Sequence, residues 1–122
     1  MPASGIFCST LAVLQGAFYL AAGAWPLLSL PTFEAVTGPK TDRWLVRTVG
    51  LLIAISGAVL LLAAASRRVT PEIVALAAGQ ALALAGVDLV YGLRGRIARV
   101  YLLDAVVELV LVAGWGGCVM AT

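Results

Sequence analysis

Histidine is absent from the 122-residue sequence. With it go the commonest general base, the Ser-His and Cys-His nucleophile pairs and most metal-site patterns. Charge is scarce too, since only 11% of residues are charged and the net charge is +2. That is too little and too scattered for nucleic acid, and nothing interleaves aromatic with basic residues as single-strand binders do. Conventional hydrolytic or metal chemistry is therefore not expected, and neither is a cofactor. An enzyme is the least expected of the functions weighed below.

What fills the sequence is apolar: 62% of residues are hydrophobic, far outside the balance of a water-soluble domain. A bilayer core about 30 Å thick needs roughly 20 apolar residues at 1.5 Å rise each. Four stretches reach that length, Ile6 to Leu30, Trp44 to Ala65, Glu72 to Leu93 and Ala98 to Met120. The breaks between them carry the prolines, glycines and charges, as in Pro31 to Arg43, Ser66 to Pro71 and Arg94 to Ile97. The expected fold is all-α: one domain over residues 1–122, with four transmembrane helices in an up-down bundle. Thr70, Pro71 and Glu72 form an expected N-cap, first-turn proline and dipole-matched acid for the third helix. Pro26 is expected to kink the first helix or to mark where it leaves the hydrocarbon.

The amino terminus lacks the basic n-region of a secretory signal, so the first span reads as a retained helix. Cationic residues set the orientation. Lys40, Arg43 and Arg47 flank the first connection and Arg94, Arg96 and Arg99 the third, against Arg67 and Arg68 on the other side. A bacterial inner-membrane protein with the first and third connections cytoplasmic and both termini outside is the reading. Trp44, Tyr91 and Tyr101 should then lie at the cytoplasmic interface and Trp115 near the outer one.

Cys8 reads as a small buried apolar residue. It and Cys118 should share the outer face, and a disulfide between them requires adjacent first and fourth helices with Cα atoms within about 7 Å. Gly16 and Gly23, Gly50 and Gly57, and Gly79 and Gly86 are each seven apart, which places each pair near one helix face and suggests close helix packing.

Function is sought where polar side chains are costly, because an ionisable group at mid-bilayer costs at least about 2.5 kcal/mol. On the third helix Gln80, Asp88 and Tyr91 fall within about 80° of one another. On the fourth, Asp104 and Glu108 are one turn apart. Arg47 on the second helix lies at the depth of Asp88 and Asp104, and a cluster of the three is expected, either as a structural clasp or as part of a site. Glu108 lies deeper, level with Gln80 and Gln15 and without a cation at that depth. It is the strongest single candidate for a ligand or proton role.

Small multidrug exporters share the size but place an essential glutamate in the first span, which has no acid here. The pore pattern of small fluoride channels, an asparagine with paired phenylalanines, is also missing. Arg47-Thr48-Val49-Gly50-Leu51-Leu52 with Ser56-Gly57, and Leu102-Leu103-Asp104 at the start of the last helix, resemble the DoxX-like bacterial four-helix membrane proteins. The resemblance implies the four-span plan and brings no catalytic residues with it. Three functions remain open. The first is a site lined by Glu108, Asp104, Asp88, Gln80, Gln15 and Arg47 for a small lipophilic or cationic molecule. The second is proton-coupled or ion transport on the same carboxylates, in a homo-oligomer such as a dimer because four helices enclose little volume. The third is an accessory subunit without ligand. In each case the lipid bilayer is the surrounding partner.

Overall fold

The computed structural model describes residues 2–121. It is all-helical, with α1 (Pro2–Leu28), α2 (Leu30–Thr37), α3 (Arg43–Ala65), α4 (Pro71–Leu93) and α5 (Val100–Ala121). Four of these, as Gly5–Leu28, Arg43–Ala65, Pro71–Leu93 and Val100–Ala121, are long and apolar enough to cross a membrane. Large apolar side chains such as Leu52, Leu62, Leu82 and Val110 point outward, as they can where the surroundings are as apolar as they are.

α2 is an addition to the expected plan, lying within the segment read as a plain connection. Proline is tolerated at a helix's first turn, where its missing N–H costs nothing, so Pro31 opens α2 rather than preventing it. Gly38 ends it at a φ of 96°, a left-handed conformation that glycine adopts without steric cost. At the start of α4 the Thr70 hydroxyl accepts from the Ile73 N–H at 3.4 Å, with Pro71 in the first turn and Glu72 beside it. Pro26 lies inside α1.

Tight packing is concentrated between α1 and α3. They run antiparallel with Gly16 opposite Gly57 and Gly23 opposite Gly50, and a Cβ added at Gly57 or Gly50 would stand 2.6 Å from the carbonyl oxygen of its opposite glycine. Without a hydrophobic drive between helices in lipid, such backbone approach is what dispersion and packing can exploit. The third pair behaves otherwise, since a Cβ at Gly79 or Gly86 would meet nothing within 4 Å. Equal spacing in the sequence therefore marks a packed seam on α1 and α3 and an open face on α4.

α4 packs mainly on α5, and the two helix pairs meet through α1 and α5. At that junction Cys8 and Cys118 form a disulfide with Cα atoms 5.4 Å apart. Beside it lie Leu11, Ala12, Leu60, Ala77 and Trp115, all buried, so bulky side chains fill the half of the bundle nearest the disulfide. Trp115, expected at a membrane interface, is instead 1% exposed. Its indole finds a partner inside the bundle, which removes the reason for the ring to sit at the headgroups. Trp44 is 68% exposed at the opposite end, on the side where α2 lies.

Candidate functional site: an apolar cavity ending on carboxyl groups

The half of the bundle nearest α2 is built differently. Several of its inward positions are small, with Ala22 and Gly23 on α1, Gly50 on α3 and Ala85 on α4. A cavity of about 730 Å³ results, within the range of small-molecule sites, with walls from all five helices. The walls are mostly apolar, including Phe18, Val49, Ile53, Leu84 and Val107. α3 and α4 touch little beyond the hydrogen bond from Gln80 Nε2 to Ser56 Oγ at 2.9 Å. Little therefore closes the bundle between those two helices.

Tyr19, Asp88, Asp104 and Glu108 are the polar groups away from the α2 end, where Trp25, Thr37, Lys40 and Tyr101 also line the cavity. Periodicity brings the acids together: Ala105, Glu108, Leu111, Trp115 and Cys118 form the buried face of α5, and Ala77, Ala81, Ala85, Asp88 and Gly92 that of α4. Asp104, one turn before Glu108, lies with its carboxyl in hydrogen-bonding reach of both Asp88 and Glu108. The Tyr19 hydroxyl donates to Glu108 Oε1 at 2.6 Å. Asp88 is 4% exposed, and its Oδ2 has no hydrogen-bond partner. The one ion pair among the described residues is Arg43 with Glu34, at 3.4 Å, so no cation among them is paired with the three acids.

From Tyr19 a polar chain continues toward the disulfide. Gln15, one turn earlier on α1, lies in reach of the Tyr19 hydroxyl. It donates through Nε2 to the Ala77 carbonyl at 2.9 Å and accepts through Oε1 from the Trp115 indole at 2.7 Å. Gln15 is thereby satisfied by protein groups and does not line the cavity. Gln80, bonded to Ser56, does not line it either, although its Oε1 is buried without a partner.

The expected cluster of Arg47 with Asp88 and Asp104 does not form. Arg47 is exposed and lines a separate recess with Leu30, Pro31, Glu34 and Arg43. Asp88 and Asp104 approach each other, but Arg47 does not join them: Gly50 is turned against α1, and Arg47 is exposed on the same helix. Only one turn from the helix end, its long side chain can carry the guanidinium to the headgroup region. That costs less than burying it in the bundle.

At the α2 end the cavity is closed by residues the sequence reading did not assign to a site. Lys40 Nζ donates to the Thr37 and Gly38 carbonyl oxygens at 2.8 and 3.0 Å, and stands over the rings of Phe33 and Tyr101 at 5.8 and 5.3 Å. Phe33 packs edge-on against Trp25, whose indole N–H donates to Thr32 Oγ1 at 2.9 Å. These contacts hold α2 across the end of the bundle. Tyr19 was legible as a polar residue one turn from Gln15, but its bond to Glu108 spans 89 positions and has no local signature. In comparisons with known proteins, no family model, no curated protein and no solved structure matches the chain.

Proposed function

We propose that this chain binds a small lipophilic molecule, taken from the membrane, whose polar group meets the carboxyl cluster while its apolar part fills the cavity. The carrying observation is the unpartnered Asp88 Oδ2 in a cavity whose walls are mostly apolar. A buried acceptor left without a donor costs about 1–3 kcal/mol, and a ligand donor at that point removes the cost. The sparse contact between α3 and α4 supplies a lateral way in from the lipid.

Binding is favoured over proton or ion passage by what lies beyond Tyr19. The polar chain there consists of a glutamine amide and a tryptophan indole, neither of which exchanges protons readily as an acid or base, and the space around them is filled by side chains. The cavity is a blind pocket on one half of the bundle. An accessory role without ligand leaves both the cavity and its orphan acceptor without a purpose.

The positive-inside rule puts the α2 end, with six cationic residues against two, in the cytoplasm of a bacterial inner membrane. The disulfide then lies toward the oxidising side, which agrees with that orientation. A carboxyl-terminal alkaline phosphatase fusion should be active, whereas a fusion active only as a cytoplasmic reporter would reverse the assignment. For binding, native mass spectrometry of the purified chain should reveal a retained non-covalent adduct, on the order of a few hundred daltons for a pocket of this class. Val49→Trp, which fills the cavity, should abolish it, and identical adducts in both proteins would refute the proposal.

A further inference from the structure

Three carboxyl groups line the cavity and none forms an ion pair among the described residues; Lys40, the cation in the cavity wall, is bonded to the Thr37 and Gly38 carbonyl oxygens instead. Carboxyl groups brought close together in an apolar cavity need protons between them or a shared cation facing them, because like charges repel strongly when taken out of water. The geometry limits which visitor can serve. Asp88 Oδ2 requires a hydrogen-bond donor. Glu108 Oε1 already receives one from Tyr19, and Asp104 stands between the two.

A quaternary ammonium brings charge but no N–H, and leaves Asp88 Oδ2 as it was. An alcohol brings one donor and no charge. A carboxylate adds to the repulsion. A primary ammonium brings unit positive charge and three N–H donors on one atom, and hydrogen bonds between ionised partners are about twice as strong as neutral ones. A metal ion is not a competing reading, since no group of His, Cys, Asp or Glu among the described residues is arranged to hold one.

We infer that the ligand class of this site is a lipophilic primary amine, its ammonium seated between Asp88 and Asp104 and its alkyl portion lying along Val49 and Val107 toward the gap between α3 and α4. This rests on the ligand-binding reading above and adds the identity of the polar group. Lys40 at the far end is held by two carbonyl oxygens and two aromatic rings, so it does not fold in to occupy the acids itself.

The test uses the full chain in zwitterionic lipid nanodiscs and native mass spectrometry with dodecylamine, dodecyltrimethylammonium and dodecanol. Dodecylamine should bind at least about tenfold more tightly than either of the others, the discrimination a charge-assisted hydrogen bond provides. Asp88→Asn should reduce that preference to within about threefold and keep dodecanol binding, with an unchanged gel-filtration profile showing that it folds. Val49→Trp should remove binding of all three. Equal binding of the three compounds that Val49→Trp still blocks would overturn the amine assignment and leave the cavity reading standing. Failure of all three to bind, or binding indifferent to Val49→Trp, would overturn both.

Discussion

Gly57→Ala is the smallest change that should injure the α1–α3 seam. The added methyl would stand 2.6 Å from the Gly16 carbonyl oxygen and 3.0 Å from the Tyr19 carbonyl carbon, where ordinary contact begins about an ångström further out. Both obstacles are backbone, so no side chain can rotate away and the helices must separate. Overpacking costs about 1–3 kcal/mol, from which the better helix propensity of alanine returns about 0.8–1.0 kcal/mol. The net loss should lie between about 0 and 2 kcal/mol, and be larger for Gly57→Val. Gly86→Ala has the same propensity gain and meets nothing within 4 Å, so it should be neutral or stabilising by up to about 1 kcal/mol. Thermal unfolding in one detergent, followed by circular dichroism, compares the two directly. Equal shifts for Gly57→Ala and Gly86→Ala would refute the assignment of one glycine pair to packing and the other to an open face.

Further consequences concern individual bonds. Reducing the disulfide, which joins positions 110 apart, should lower the unfolding midpoint, with about 4–5 kcal/mol as the upper bound from chain entropy; a non-reducing gel should show faster migration that Cys8→Ser abolishes. Trp115→Phe deprives Gln15 Oε1 of its donor and should cost about 1–3 kcal/mol by the same unfolding assay, and no measurable loss would mean that the bond is not formed. Tyr19→Phe does the same to Glu108 Oε1, so it should destabilise the chain similarly while Tyr91→Phe at the exposed end does not. Arg47→Gln should change stability by no more than about 0.5 kcal/mol, as expected for an exposed residue, whereas a loss of 3–5 kcal/mol would restore a buried pair with an aspartate.

The helices were legible because span length, proline and charge are local properties of the sequence, as the Thr70-Pro71-Glu72 start of α4 illustrates. The approach of Asp88 to Asp104 was legible for the same reason, since 1.5 Å per residue places those two near one level without knowledge of neighbours, whereas Glu108, expected level with Gln80 and Gln15, meets Tyr19 and Asp104. Which faces meet was not, because a transmembrane helix is apolar nearly all round and its amphipathic signal is weak. Arg47 was therefore assigned to the interior, and Gly79 with Gly86 to a seam. Tyr19 with Glu108, and Gln15 with Trp115, are contacts between the first helix and the last, fixed only once the glycine seam and the disulfide have set how the two helix pairs sit together. α2 has no clear signal of its own because Pro31 reads as a break, although at the first turn proline is compatible with a helix.

The central claim is that a lipophilic amine lies in the cavity walled by all five helices, entered between α3 and α4, with its nitrogen at the acids. Its most direct test is photolabelling of the chain in nanodiscs with dodecylamine carrying a diazirine on the alkyl chain, followed by peptide mapping. The label should fall on the α3 segment 45–53 and the α5 segment 100–107, compete away with unlabelled dodecylamine, and fall off sharply in Asp88→Asn. Label spread evenly over outward residues such as Leu52, Leu82 and Val110, and not displaced by excess amine, would contradict it.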